Sequence, residues 1–398
     1  MCSHHHHPSM LEMLQLSRNQ LTGTIPYNLW QCRELTFVSL SYNQFRGREI
    51  PSEIGYLPNL EELALESNNL VGHIPATIFN ISSLWQISFT NNSLTGDLPH
   101  NMCSHHHHPS VLEMLRLSRN QLTGEIPFEI GYLPNLEELG LESNNLVGHI
   151  PATVFNISTL KILGLSNNTL SGSLPSIIGF GLPNVERLFL HMNNLTGKFP
   201  SFITNASKLQ ILEIAVNSFS GFIPSTIGNR LPSLEWLNLA NNSFTSPTPD
   251  LSFITSLTNC KNLRILSLSG NPLNGFLPTS IGNLSISLEI LDMAVCNITG
   301  NIPQEITSLK NLMDLRLGYN ELTGSIPVTL RNLQQLQGFS IQNNNLEGSI
   351  PNDLCQLNNL ADLFMEGNKL SGAIPSCFDC KFTPAKQPLI QNLGSQLS

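Results

Sequence analysis

Histidine and cysteine are typical zinc ligands, and in this sequence they stand together at two places. His4–His7 follow Cys2, and His105–His108 follow Cys103. Protein zinc sites use ligands that converge on one point, whereas four adjacent side chains cannot all converge on one ion. We therefore predict exposed segments here, with no metal site and no cofactor.

The remaining cysteines do not suggest redox chemistry. Cys32 and Cys260 each stand three residues before a recurring leucine, where another segment has Ile81, so we predict buried apolar side chains. Cys377 and Cys380 form a lone Cys-x-x-Cys pair without the strand and helix pattern of a thiol oxidoreductase.

No constellation of side chains suggests catalysis. Outside its repeated pattern the sequence has no carboxylate pair and no nucleophile with an adjacent base. It also lacks the Gly-rich loop, the His-Arg-Asp segment and the Asp-Phe-Gly segment of a protein kinase. We predict that the chain is not an enzyme and that any kinase domain lies outside it.

Charge and hydropathy argue against nucleic acid and membrane spans. The net charge is −9, and the 19 lysines and arginines are scattered, so no basic stripe could follow a phosphate backbone. No run of 18 apolar residues is present, and the first residues do not have the pattern of a signal peptide. The sequence therefore predicts no transmembrane segment within this chain.

The elements that must position any functional residue come from one pattern, written fifteen times between Leu11 and Leu370. It reads Leu-x-x-Leu-x-Leu-x-x-Asn-x-Leu and ends in Leu/Phe-x-Gly-x-Ile-Pro, usually with a period of 24 or 25 residues. A repeat of about 20 to 29 residues of this form is typical of a solenoid. Its asparagine position is occupied by Asn19, Asn43, Asn68, Asn92, Asn120, Asn144, Asn168, Asn193, Asn217, Asn242, Asn271, Cys296, Asn320, Asn344 and Asn368.

This pattern predicts an α/β repeat fold with one parallel strand per coil. Leu63 and Leu65 alternate at strand period, so they point inward while the residues between them point outward. Each asparagine at the turn can pair backbone groups that the sheet leaves open, and its loss should cost about 1 to 3 kcal/mol. Cys296 is a weaker donor, which predicts a softer turn there. The glycines, such as Gly23, are expected to take φ > 0.

Two gaps and both ends depart from the pattern. The Asn92 to Asn120 gap is 28 residues, and the Asn242 to Asn271 gap is 29 residues and lacks the glycine; both insertions are expected as loops. Residues 1–26 recur almost unchanged at 102–127. We therefore expect residues 1–10 to start within the array without a cap, 11–380 to form the solenoid, and 381–398 to be a polar, disordered tail. We interpret the chain as a fragment or a shortened gene product.

The Leu-Thr-Gly-x-Ile-Pro phrases at 21–26, 122–127 and 322–327 resemble the plant-specific class of leucine-rich repeats. This class occurs in the ectodomains of receptor-like kinases and receptor-like proteins, and in secreted polygalacturonase inhibitors. The resemblance covers about nine tenths of the chain. It implies a right-handed solenoid with a concave parallel sheet, a secretory origin, an extracellular ligand and often a co-receptor. In this family a cysteine pair often closes the array, so Cys377 and Cys380 are either such a disulfide or free thiols.

The sequence also contains acceptor motifs for N-linked glycans. Nine Asn-x-Ser/Thr sequons are expected to fit secretion and to shield the earlier coils more than the last five. They are Asn80, Asn91, Asn156, Asn167, Asn194, Asn205, Asn241, Asn283 and Asn297.

The variable strand positions are the places where a ligand could be recognised. Aromatic residues and arginine are enriched at interaction hot spots. On that basis we predict a ligand-binding set on the concave face, although strand preference for β-branched residues explains Ile211, Ile265 and Ile290 equally well. The set comprises Arg187, Phe189, His191, Glu213, Trp236, Asn238, Asp292, Asp314, Arg316 and Tyr319.

The sequence therefore predicts a non-enzymatic recognition module at the outer face of the plasma membrane or in the extracellular space. It would be part of a receptor-like kinase or receptor-like protein ectodomain that binds a peptide, microbial or other small ligand and a co-receptor. Two alternatives stay open. One is a secreted inhibitor of polygalacturonase, and the other is a truncated remnant without activity.

Overall fold

A computed structural model describes residues 10–47, 49–100, 102, 110–175 and 181–379. Both histidine tracts, Cys2, Cys103, Cys380 and the tail at 381–398 lie outside these residues. The chain divides into two compact units, Met1–Thr196 with Pro200–Ala206, and Gly197–Phe199 with Ser207–Ser398.

Each coil contributes one three-residue strand, numbered here by its coil, and neighbouring strands within a unit pair in parallel. The middle leucine of the pattern lies at the centre of the strand, and it faces the equivalent residue of the next coil. The eight strands of the first unit are β1 Met13–Gln15, β2 Phe37–Ser39, β3 Glu62–Ala64, β4 Gln86–Ser88, β5 Met114–Arg116, β6 Glu138–Gly140, β7 Ile162–Gly164 and β8 Arg187–Phe189.

The second unit repeats this arrangement with seven strands in the same register. They are β9 Ile211–Glu213, β10 Trp236–Asn238, β11 Ile265–Ser267, β12 Ile290–Asp292, β13 Asp314–Arg316, β14 Gly338–Ser340 and β15 Asp362–Phe364. The predicted leucine-rich repeat solenoid with a parallel sheet is thus confirmed.

The recurring leucines form the core of each unit. Leu63 and Leu65 are fully buried, and Leu266 and Leu268 are their equivalents in the second unit. Burying one such side chain contributes about 1.5 to 3 kcal/mol. Because every coil contributes the same inward residues, all strands share one backbone arrangement although their outward residues differ. We call this shared core and turn the frame.

Shorter strands follow the turn of most coils, on the side where the Gly-x-Ile-Pro phrase begins. In the first unit they are Thr22–Gly23, Gln44–Phe45, Val71–Gly72, Ser93–Asp97, Gln121–Thr123 and Ser171–Ser173, and Asn194–Lys198 includes residues of both units. In the second unit they are Ser218–Phe222, Ser243–Thr245, Thr299–Asn301, Glu321–Thr323, Glu347–Ser349 and Lys369–Ser371.

One short helical segment then follows the Ile-Pro of most coils. The proline sets φ for the residue before the first helical turn; for example Pro26 has φ −62° and Pro51 has φ −74°. The 3₁₀ helices of the first unit are Tyr27–Gln31, Ser52–Tyr56, Ala76–Asn80, Phe128–Tyr132, Ala152–Asn156 and Ser201–Asn205. The second unit has α1 Ile227–Arg230, α2 Ser252–Leu257 and 3₁₀ helices Thr279–Asn283, Gln304–Ser308, Val328–Asn332, Asn352–Gln356 and Ser376–Asp379.

The asparagine at the end of each strand connects successive coils through its side-chain amide. Asn43 Nδ2 donates to Leu16 O of the preceding coil at 2.9 Å and to Leu40 O of its own coil at 3.0 Å. Asn43 Oδ1 accepts from Leu21 N at 3.0 Å. The same amide therefore satisfies buried donors and acceptors in two coils, as Asn271 also does in the second unit.

The residue just before this asparagine has positive φ in every described coil, a feature that the sequence pattern did not predict. Arg18 has φ 58°, Ser143 has φ 54° and Val216 has φ 53°, and glycine occupies the position only at Gly270 and Gly367. A bulky residue in this region is strained. The turn must be held by the hydrogen bonds around it and not by local preference. The glycine of the Gly-x-Ile-Pro phrase also has positive φ, as expected, for example 83° at Gly23.

Two cysteine predictions need correction. Cys32 is fully buried, as expected of an apolar side chain, but it is in a disulfide bond and is not a free thiol. Cys377 pairs with Cys355 of the preceding coil, with a Cα–Cα distance of 5.6 Å, and not with Cys380. The sequence pair was misleading because stacking brings positions about one period apart into contact. Cys260 is a buried free thiol, as predicted.

The insertion between Asn242 and Asn271 is also more ordered than a loop. An exposed turn at 247–250 is followed by Leu251 with φ 47° and then by α2, whose Phe253 and Leu257 are buried. The extra residues therefore form a helix that joins the core. At Cys296, Sγ donates weakly to Leu268 O and Ala294 O, both at 3.3 Å. Whether this turn is softer stays a prediction.

Candidate functional site

The outward side chains of the strands form an open surface, which we call the sheet face of each unit. Parallel pairing places equivalent residues of successive coils side by side, about 4.8 Å apart. The face residues are those before, between and after the two core leucines of each strand. Their neighbours come from the next coil, 22 to 29 residues away in sequence, as in the pairs Glu138–Arg116, Asn238–Glu213 and Trp236–Ile265.

In the first unit the predicted site residues Arg187, Phe189 and His191 lie on and just after β8, and all three are half-buried. His191 Nδ1 is 2.8 Å from Ser166 Oγ of the preceding coil. Burial lowers the pKa of His191, so the imidazole is neutral at pH 7. Its Nδ1 either accepts a hydrogen bond from the serine hydroxyl or donates one to it, depending on the tautomer. These three residues can therefore contact a ligand, but they do not form a catalytic group.

The rest of this face carries an ionic network that the sequence pattern did not predict. Arg116 holds Glu138 through two hydrogen bonds, from Nε at 2.7 Å and Nη2 at 2.6 Å. Glu142 accepts from Ser118 Oγ, and its carboxylate lies over Gly164, where a side chain would displace it. Desolvation raises the pKa of Glu142 above its ordinary value. The signal in the sequence was the recurrence of glutamate at face positions of neighbouring coils.

In the second unit Glu213, Asn238 and Trp236 lie on the adjacent strands β9 and β10. Glu213 is almost fully buried and accepts from Asn238 Nδ2 at 2.6 Å. Desolvation raises the pKa of Glu213 to about 8, so the carboxyl is largely protonated at neutral pH. Glu213 therefore positions Asn238 and is a poor direct ligand contact. Trp236 is half-buried, and its Nε1 is shielded without an acceptor among the described residues.

The other predicted patch is an ionic cluster on β12 and β13. Arg316 donates to Asp314 Oδ2 from Nε at 3.0 Å and from Nη2 at 2.8 Å, and its Nη1 is 4.0 Å from Asp292 Oδ2. Asp314 is buried, and desolvation raises its pKa. Asp292 also accepts from Ser269 Oγ at 3.0 Å. Tyr319 is exposed and lies beyond the strand, at the position of positive φ.

The second unit also has an apolar row on its sheet face. Register places Ile211, Trp236, Ile265 and Ile290 side by side on β9 to β12, and all four are half-buried. The sequence alone allowed strand preference as an explanation for the isoleucines. Their alignment on the open side of the sheet makes them a continuous surface that a ligand could cover.

All nine sequon asparagines are exposed. Asn91, Asn167 and Asn241 have positive φ at the end of their strands, beside the sheet face. Asn80, Asn156, Asn205 and Asn283 each end a 3₁₀ helix on the other side of the coil. Asn194 begins a short strand, and Asn297 follows Cys296. The nine sequon asparagines therefore all lie at the surface of their coils.

Within the described ranges no three His, Cys, Asp or Glu side chains lie close enough together to hold a metal ion. The two histidine tracts fall outside those ranges. Among the same residues, no helix has the length and apolar character needed to cross a membrane. The described face is suited to contact through apolar packing, hydrogen bonds and charge.

Two family models match the chain. The model described as "Leucine-rich repeat region" covers residues 248–374. The model described as "Leucine Rich Repeat" covers residues 10–32, 111–133, 159–180 and 233–254. These matches follow the coils of both units.

A curated relative is the receptor kinase-like protein Xa21 of Oryza sativa subsp. japonica. It is 47% identical over 68 residues, which is 17% of this chain and 7% of that protein. Receptor-like protein 32 of Arabidopsis thaliana is 33% identical over 121 residues, which is 29% of this chain and 14% of that protein. The chain thus matches only a small part of the length of these relatives.

Solved structures match much more of the chain. The plant peptide hormone receptor RGFR1, in complex with RGF2, is 34% identical with a TM-score of 0.80, over 92% of this chain and 61% of that one. The Arabidopsis receptor kinase HAESA, in complex with the peptide hormone IDA and the co-receptor SERK1, is 33% identical with a TM-score of 0.77, over 92% of this chain and 63% of that one. The coil geometry described above is therefore similar to that of these receptor structures.

Proposed function

The chain belongs to the plant-type leucine-rich repeat family, and from this membership we propose that it is the recognition part of a receptor-like kinase or receptor-like protein ectodomain. It binds an extended peptide or similar signal ligand on the sheet face and carries no catalytic activity of its own. Because the chain spans less than two thirds of the two receptor chains described above, the activity of a whole receptor is part of this proposal.

The observation that carries the proposal is the contrast between constant and variable residues in one coil. Leu237 and Leu266 are fully buried neighbours on β10 and β11, whereas the outward Trp236 and Ile265 beside them are half-buried and differ in type. A surface of this kind presents large apolar groups on a rigid frame, which is the arrangement that favours binding hot spots.

We further propose an extracellular setting, at the outer face of the plasma membrane, with a co-receptor ectodomain as a second partner. The receptor structures with bound peptide and co-receptor support this setting. Nine exposed sequons also support it, and we propose them as acceptors of N-linked glycans.

The test uses the full chain secreted from insect cells and a display library of random 12-residue peptides. We expect peptides to be selected whose affinity falls about tenfold when Trp236 is replaced by alanine, because truncating a large aromatic anchor costs more than 1 kcal/mol. Fluorescence anisotropy with a synthetic copy of a selected peptide measures this change.

Phe222 provides a matched control in the same unit. It is 60% exposed but lies in a short strand away from the sheet face, so Phe222→Ala should change peptide affinity less than twofold. If no peptide is retained, or if the Trp236 and Phe222 variants behave alike, the sheet face is not a peptide-binding surface. Inhibition of a fungal polygalacturonase by the same preparation would support the inhibitor alternative in its place.

A further inference from the structure

The apolar row of the second unit ends abruptly where the chemistry of the sheet face changes. Ile290 on β12 pairs in register with Asp314 on β13, and the next two residues of the same row are Gly338 on β14 and Asp362 on β15. The row therefore passes from apolar side chains to a carboxylate, a glycine and a second carboxylate.

Gly338 leaves a recess between the two carboxylates. A Cβ at this position would come within 2.9 Å of Asp314 Oδ1 and 3.3 Å of Asp314 Cγ, so the space that a side chain would fill lies directly against the carboxylate. Asp362 is exposed on the other side. With strands about 4.8 Å apart, a group above Gly338 lies roughly midway between carboxylates whose strands are about 10 Å apart.

The charge around this recess is unbalanced. The described face positions of β12 to β15 hold one basic residue, Arg316. Four others there are acidic, namely Asp292, Asp314, Asp362 and Glu366. Arg316 occupies Asp314 Oδ2 and leaves Oδ1 directed toward the recess. Burial raises the pKa of Asp314, the ion pair with Arg316 lowers it in part, and the charges of Asp292 and Asp362 raise it again. An added positive charge here would therefore lower the electrostatic energy.

Resting on the proposed function, we propose that the sheet face of the second unit recognises an extended peptide that combines apolar residues with a basic one. The apolar side chains cover the row from Ile211 to Ile290, and a lysine or arginine side chain lies over Gly338 between Asp314 and Asp362.

The dimensions of the surface fit this ligand class. From β9 to β12 the apolar row spans about 14 Å, and Gly338 lies about 10 Å beyond Ile290. An extended peptide advances about 3.3 Å per residue, so about seven residues reach from one end to the other, with the basic residue about three positions beyond the last apolar contact. An ammonium or guanidinium group fits between separated carboxylates, where its donors can reach both.

The experiment compares peptides selected by the full chain with those selected by two variants. Asp362→Lys reverses the exposed charge without touching the core, and Gly338→Ala fills the recess at a residue without positive φ. Glu347→Gln is the matched control, because Glu347 is exposed in the same unit but lies in a short strand away from the sheet face.

We expect the wild-type chain to select peptides with two or more alternating apolar residues and a lysine or arginine about three positions beyond them. Affinity should fall about tenfold or more with Asp362→Lys, because opposed charges across an interface are replaced by like charges. Replacing the basic residue of the peptide by glutamine should weaken binding to the wild type and to Glu347→Gln, but have little further effect on Asp362→Lys or Gly338→Ala.

The outcomes separate this inference from the proposed function. Peptides that need Trp236 but contain no enriched basic residue would overturn the inference and leave peptide recognition standing. The inference is also overturned, and peptide recognition again kept, if the glutamine substitution weakens binding equally in all four proteins. If the library yields no peptide at all, both the inference and the proposed function fail.

Discussion

The sheet faces of the two units use the same frame for opposite kinds of surface. On the first, Arg116 and Glu138 form a close ion pair, and Glu142 lies over Gly164, so the polar groups largely satisfy one another. On the second, a continuous apolar row is open and leads to a recess with excess negative charge. The second unit therefore has more apolar surface and more charge that a ligand could cover than the first unit.

This contrast is possible because the frame does not depend on the face. Leu139 and Leu266 are both fully buried, although Glu138 stands before one and Ile265 before the other. A solenoid coil contacts only its neighbours, so its stability comes from the core and turn that all coils share. Face residues are then free to change with little effect on folding.

The prediction with the largest expected effect replaces one turn asparagine of the second unit, Asn271. It tests whether core and turn hold the frame independently of the sheet face. Asn271 is fully buried, and its amide pairs with Leu239 O, Leu268 O and Phe244 N, each at 2.9 Å. Asn271→Ala strands these groups and should lower the free energy of unfolding of the unit by about 3 kcal/mol. Urea unfolding and hydrogen exchange of β10 and β11 measure it.

The control for this change is Asn301→Ala, which removes an exposed asparagine bonded only to Thr323 in the described structure and should cost less than about 0.5 kcal/mol. Equal losses in the two variants would mean that the turn asparagines do not carry the frame.

The frame was largely predictable from the sequence, and the site only in part. Recurring leucines fix which residues point inward, so the strand of each coil, such as β11, follows from the period. The positive φ of Val216 and the bond between Cys355 and Cys377 were not predictable, because both depend on partners about one period away.

The same limitation applies to the predicted ligand-binding residues. Sequence position alone identified Glu213 and Asp314 as outward residues. It did not predict that Glu213 is buried against Asn238 and Asp314 against Arg316. Trp236 and Tyr319 are themselves partly or fully exposed, whereas Asp314 faces the position above Gly338 only through its Oδ1. Periodicity states which way a side chain points, and only the neighbouring coil decides whether it is covered.

A second prediction concerns pH and distinguishes the buried acid of the second unit. The pKa of Glu213 in the folded chain, about 8, lies above its ordinary value of 4.5, so the folded state holds this proton more tightly than the unfolded state. The stabilisation is fully present below about pH 4.5 and is lost as pH rises toward 8. We expect the free energy of unfolding to fall steadily across that window.

Glu213→Gln keeps an acceptor for Asn238 but has no charge, so it should flatten this part of the curve and be the more stable protein above pH 8. Glu347→Gln, at an exposed position, should keep the wild-type slope. Urea unfolding at pH 5, 6.5 and 8 checks it, and a slope unchanged by Glu213→Gln would assign the pH dependence to another group.

A third prediction compares one ion pair from each unit. Arg116 and Glu138 have 34% and 19% of their side chains exposed, whereas Arg264 and Glu289 have 57% and 32% exposed. The less exposed pair should couple by about 1 kcal/mol, and the more exposed pair by about 0.3 kcal/mol. Double-mutant cycles with methionine and glutamine replacements measure both, and equal couplings would contradict a polar network special to the first unit.

A fourth prediction concerns the residue before the turn asparagine, where the units also differ. In the first unit this position holds no β-branched residue, whereas the second has Val216 and Val295, with φ of 53° and 56°. Asparagine tolerates this conformation better than valine, and Val295 is 53% exposed, so Val295→Asn should stabilise the unit by about 0.5 to 1 kcal/mol.

Val328→Asn, at a 58% exposed position in a 3₁₀ helix, is the control and should give no gain. Thermal unfolding of the two variants compares them directly. A gain confined to Val295→Asn would show that the shared turn imposes a positive φ even on a residue that disfavours it. The turn is then independent of the residues it contains, so the residues of the neighbouring sheet face can vary. Equal effects at both positions would mean that Val295 is not strained and that the hydrogen bonds of the turn do not force its positive φ.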